Sequence, residues 1–94
     1  MIQTVVKRDG RIVGFNEEKI ITAIRKAMLH TDKGEDMSLI RQITDHISFR
    51  GDAQMTVEAI QDMVELELMK SSRKDVAKVY IAYRNQRRIA RKAK

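Results

Sequence analysis

The chain has 94 residues, 43% of them apolar and only 4% aromatic, with a net charge of +6. That is enough for one domain with a modest core of aliphatic and Met side chains. Cysteine is absent, which excludes disulfides, zinc ribbons and thiol chemistry and fits a reducing compartment.

No apolar run approaches the ~20 residues of a membrane span. The start lacks the apolar stretch of a signal peptide, so a cytoplasmic location with no membrane contact is expected. The charge excess is local. Arg84, Arg87, Arg88, Arg91, Lys92 and Lys94 carry all of it, and Met1 to Tyr83 is balanced.

Ile2 to Lys7 and Arg11 to Phe15 are β-prone runs flanking Asp9-Gly10, a dipeptide suited to a hairpin turn with positive φ. Asn16 has the chemistry of a helix cap, with Glu17 and Glu18 at the positive end of the helix and Lys19 in its first turn. Ile20, Ile21, Ala23, Ile24, Ala27 and Met28 recur at helical spacing, while Arg25 and Lys26 should face water. His30 to Asp36 reads as a loop. A second helix starts at Asp36 or Ser38 and buries Leu39, Ile40, Ile43 and Ile47. Gly51 should stop it in the left-handed conformation.

Asp52 to Met55 reads as a short connection and Thr56 as the cap of a third helix. Val57, Ile60, Met63, Val64 and Leu68 form that helix's apolar stripe, and Glu58, Asp62, Glu65 and Glu67 make its other surface acidic. Ser72 and Asp75 have capping-box-like spacing before a fourth helix from Arg73. Its buried stripe should hold Val76, Val79, Tyr80 and Tyr83. Proline is absent, so no helix is broken internally. A lone hairpin is marginal and must pack on helices. The expected fold is mainly α (α+β), with a β-hairpin lid over residues 2–15 on a small four-helix bundle. The helices should run over about 17–29, 38–50, 57–70 and 73–91.

Lys7-Arg8-Asp9-Gly10, then Phe15-Asn16 and Lys19-Ile20 before an apolar helix, resembles the start of an ATP-cone domain. Val76 to Arg87 is similar to that family's last helix. The resemblance runs from about Thr4 to Arg88 and leans towards anaerobic ribonucleoside-triphosphate reductases. It implies a single regulatory domain, not itself an enzyme, that binds ATP or dATP with Mg²⁺ brought by the nucleotide. Its partners would be the catalytic domain or subunits of a ribonucleotide reductase, and assembly can include a homo-oligomer. It further implies adenine beside the first strand, phosphates held by Lys7 and Lys19, and a cation from the last helix, for which Arg87 aligns best. A related transcriptional repressor carries a zinc ribbon ahead of its cone; a chain without Cys has none.

The residues support this independently. A triphosphate calls for several cations from different elements. Lys7 and Arg8 come from the hairpin, Lys19 from the first helix, and Arg84 or Arg87 from the last. Val5 and Val6 are expected to offer a free backbone amide and carbonyl to the base. Each has a plainer alternative: Lys7 and Arg8 as a solvated tip, Lys19 as a partner of Glu17 or Glu18, Asn16 as a cap, Gln61 as an exposed helical side chain. Core packing outweighs base stacking for Tyr80 and Tyr83.

No P-loop or Gly-x-Gly-x-x-Gly stretch is present, His30 and His46 are too few for a metal site, and no carboxylate pair stands out as acid and base. The rival reading is a small basic nucleic-acid-binding or transcription-regulatory domain using the C-terminal cations. The neutral body and scarce aromatics disfavour nucleic acid. A helical interaction module is a third reading, overlapping with the first.

Overall fold

The computed structural model describes residues 1–92, with side chains as far as Gln86. Gly10 takes φ +90° at the hairpin turn, and the Asp9 carboxylate accepts hydrogen bonds from Arg11 N at 3.1 Å and Arg11 Nε at 2.7 Å. This turn joins β1 (Thr4–Val6) to β2 (Ile12–Gly14), paired antiparallel with Val5 opposite Val13.

The segment after the second helix, expected as a plain connection, forms β3 (Gln54–Thr56) instead. It pairs parallel with β1, placing Val5 opposite Met55 in a sheet of order β2-β1-β3. Both edges of β1 are therefore covered, which corrects the expectation of free backbone groups at Val5 and Val6. The reason is non-local: an unpaired hairpin edge leaves donors and acceptors unsatisfied, and a returning segment fills it. Ala53 O accepts from both Gln3 N and Thr4 N, at 2.8 and 2.9 Å.

Helix α1 (Glu17–Leu29) is capped by Asn16, whose Oδ1 accepts from Glu18 N at 3.0 Å. Asp36 caps α2 (Met37–Arg50) and Thr56 caps α3 (Val57–Lys70). Helix α4 spans Lys74–Lys92. The capping box at Ser72 does not form. Ser71 Oγ accepts from Arg73 N at 3.2 Å, and the Asp75 carboxylate takes Arg73 Nε at 3.2 Å. Arg73 is buried and donates on to Gly34 O at 2.9 Å and Thr31 Oγ1 at 3.0 Å, pinning the α1–α2 loop to the start of α4.

The apolar stripes meet as their periodicity predicts. Ile24 and Met28 of α1, Ile40 and Ile47 of α2, Val64 and Leu68 of α3 and Val76 of α4 form one core. Ile2 enters it from the sheet side, with Val5, Phe15 and Met55 packed against it. Two stripe positions are corrected: Ala23 and Tyr83 are exposed, because both line an open cleft between α1 and α4 and are not packed in the core. Among the described residues, no helix is long and apolar enough to cross a membrane.

Gly51 ends α2 with φ −68° and ψ 157°, which is extended backbone and not the left-handed stop expected. It is glycine for lack of room: an added Cβ would lie 2.6 Å from Ile2 Cδ1 and 2.7 Å from Met55 Sδ. Gly51→Ala should cost about 1–3 kcal/mol in denaturant unfolding, as overpacking does. Gly14→Ala, where a Cβ meets nothing within 4 Å, should stay within about 0.5 kcal/mol of the parent. Equal effects at the two positions would refute this packing account.

Candidate functional site

A cleft of about 660 Å³ opens between α1 and α4, with the hairpin tip and α3 closing one end. That volume lies in the usual range for small-molecule sites. Along α1 its wall is formed by Asn16, Lys19, Thr22, Ala23 and Lys26, which fall on one helix face at spacings of three and four. The small side chains between the two lysines keep the floor open. Arg8 reaches in from the turn, Gln61 from α3, and Tyr80, Tyr83 and Arg84 from α4. Cations from three separate elements thus face one aqueous space beside two phenol rings.

Two of these cations are already engaged. Arg8 Nη2 pairs with Glu58 Oε1 at 2.8 Å and donates to Gln61 Oε1 at 3.3 Å. Arg84 is buried and pairs with Glu58 Oε2 at 3.1 Å, Asp62 Oδ1 at 2.8 Å and Glu65 Oε1 at 3.4 Å. Burial works against the Arg84 charge, but the hydrogen bonds Arg84 donates to Asp62 and Glu58 outweigh that and raise its pKa above the usual guanidinium value. Its Nε has no hydrogen-bond partner. The acidic face of α3 read from the sequence is therefore a clasp for α4 and the hairpin tip.

Of the residues singled out in the sequence, Arg8, Asn16, Lys19, Gln61 and Arg84 line this cleft. Val5, Val6 and Lys7 are half-buried and are not in its wall. Lys7 follows directly on β1, and its amide donates to Arg11 O at 2.8 Å at the entry to the turn. The side chain of Arg87 lies outside the described residues, as do those of the C-terminal cations on which a nucleic-acid reading rests. Among the described residues, no group of three or more His, Asp or Glu side chains could hold a metal ion.

The family model for the ATP cone domain matches residues 3–89. The chain belongs to the ATP-cone family. It is 45% identical, along all of its length, to the vitamin B12-dependent ribonucleoside-diphosphate reductase of Thermoplasma acidophilum. Identity is 38% over 94% of the chain to the ribonucleoside-diphosphate reductase subunit alpha of Chlamydia pneumoniae. It is 33% over 93% of the chain to the anaerobic ribonucleoside-triphosphate reductase of Haemophilus influenzae. This ATP-cone spans only 10–13% of the length of those relatives. The anaerobic enzymes anticipated from the sequence are among them, alongside other reductase classes.

An ATP-cone is a nucleotide-binding regulatory domain, so this chain regulates and is not itself a catalyst. Sequence reasoning missed Lys26 and the exposure of Tyr83 in this ATP-cone. Lys26 could have been found from its spacing of seven from Lys19, which places both on one face; Tyr83 sits on an apolar stripe and carries no such signal.

Tyr80, at the base of the cleft, is buried, and that burial pushes its phenol up to about 12, with nearby Arg84 offsetting part of the effect. The unfolded chain ionises its tyrosines near pH 10. Tyr80 therefore contributes stability that is complete below about pH 10 and is lost as pH rises towards about 12. Tyr80→Phe should flatten the alkaline fall in urea-unfolding stability between those values. An unchanged slope would show that Tyr80 is not the group responsible.

Proposed function

We propose that this ATP-cone is an allosteric sensor that takes ATP or dATP in the α1–α4 cleft and adjusts the activity or assembly of a ribonucleotide reductase. The observation carrying this is the convergence of Arg8, Lys19, Lys26 and Arg84 on one cleft of nucleotide size. A triphosphate matches it because its charge is spread over several groups, each needing its own cation. Lys19 adds to the case. A cation in the first turn of a helix is unfavourable by roughly 0.3–1 kcal/mol, and a phosphate beside it removes that cost.

In this reading Lys19 holds the phosphates from α1, Lys7 reaches them from the end of β1 outside the cleft wall, Asn16 and Gln61 orient the ligand, and Arg8 closes over it from the turn. Arg84 sets the shape of the site, and Arg87 on the following turn of α4 adds a further cation. Mg²⁺ arrives on the phosphates, whose oxygens suit it. The partner is a reductase catalytic domain or subunit, contacted directly or through a homo-oligomer, in the cytoplasm.

Calorimetric titration with ATP, dATP and GTP tests the reading. Lys7→Ala and Lys19→Ala should each weaken ATP binding by about 1.5–3 kcal/mol, the worth of a charge-assisted hydrogen bond. The double variant should depart from additivity because both hold one ligand. ATP should raise the melting temperature of the parent and do so much less in either variant. Parent-like ATP binding by both folded variants would overturn the site. Deleting Arg91 to Lys94 should leave affinity almost unchanged.

A further inference from the structure

We propose that Glu58 is a tethered competitor of the nucleotide's phosphate: its carboxylate holds Arg8 until an incoming anion takes the guanidinium away. The inference rests on the nucleotide reading above and concerns how that site is regulated. Glu58 uses its two oxygens differently. Oε1 lies 2.8 Å from Arg8, on the hairpin turn, while Oε2 lies 3.1 Å from Arg84, on α4. The two arginines are held unequally. Arg84 is buried with side chain 8% exposed and keeps Asp62 and Glu65 as further partners, whereas the Arg8 side chain is 35% exposed and is held by Glu58 and Gln61. The arginine that an anion can extract is therefore Arg8.

Arg84 meanwhile keeps the Glu58 carboxylate pointed at the place Arg8 leaves, so the contact re-forms when the ligand departs. Two consequences follow. Apparent affinity falls by the fraction of molecules in which Arg8 is paired, since only unpaired Arg8 is competent. Binding also releases the hairpin tip from the first turn of α3, while the β1–β3 pairing keeps the sheet on that helix. Glu58 is thus a positioning residue acting through Arg8, and its removal should strengthen binding.

Glu58→Gln keeps the side chain's size and removes the charge. Calorimetric titration of the full chain with ATP should show affinity tighter by about 2–5-fold, the range expected for an exposed ion pair. The gain should vanish in an Arg8→Ala background, and melting curves should show both proteins folded. Unchanged or weaker binding by folded Glu58→Gln overturns the proposal while parent binding leaves the nucleotide reading standing. A gain that persists without Arg8 also overturns it, because a general field from the acidic face then explains the effect. If Glu58→Gln does not fold, Glu58→Ala and Arg8→Ala titrated at raised salt replace it, with the same two outcomes deciding. Absence of ATP binding by the parent itself overturns the nucleotide reading and this proposal together.

Discussion

The parallel pairing of β1 with β3 is the constraint on which the rest of the arrangement depends. A two-stranded hairpin has little to hold it on a helical bundle. Here the segment leaving α2 returns along β1, with Val5 opposite Met55 and Val6 opposite Thr56, and runs straight into α3 through the cap at Thr56. The hairpin is thereby fixed to the helix whose first turn carries Glu58. Ile2 packs on Gly51 at the end of α2, where even a methyl group would collide, so the approach of sheet to bundle is set by contact as well as by hydrogen bonds. Without that anchoring the turn holding Arg8 would have no defined position over the cleft.

The cleft itself follows from how α1 and α4 share their residues between core and solvent. Ile20, Ile24 and Met28 bury one side of α1, leaving Lys19 and Lys26 on the side that faces the opening. On α4, Val76, Ala77 and Tyr80 are buried while Tyr83 remains exposed by 56%. The cleft lies between these two exposed faces, and cations with small side chains are part of its lining. A site formed this way is open and lined by charged side chains.

The charges around it are arranged with restraint. Repulsion among convergent cations is offset by Glu58, Asp62 and Glu65, all on α3. A buried arginine is tolerable only with such partners. The same carboxylates bind the hairpin tip and α4 to α3, so the charge that faces the cleft and the packing of these elements are linked through one helix face.

The helices, their caps at Asn16 and Thr56, and the Asp9-Gly10 turn could be read in the sequence because each rests on local chemistry: periodic burial, a side-chain oxygen beside free amides, a glycine at positive φ. So could the candidacy of Arg8 and Lys19, since cations flanking a turn and a helix start are visible without a fold. β3 was not legible, because an alternation only three residues long is too short to stand out and becomes a strand only when a partner edge lies beside it. The role of Gly51 was misread for the same reason: its neighbour is Ile2, far away along the chain. Arg84 looked like a free phosphate ligand, and only the packing of α3 on α4 turned it into a buried, carboxylate-bound clasp. Local chemistry was determined by the sequence alone, whereas pairing between distant segments, and hence which charges remain available, was decided by the tertiary structure.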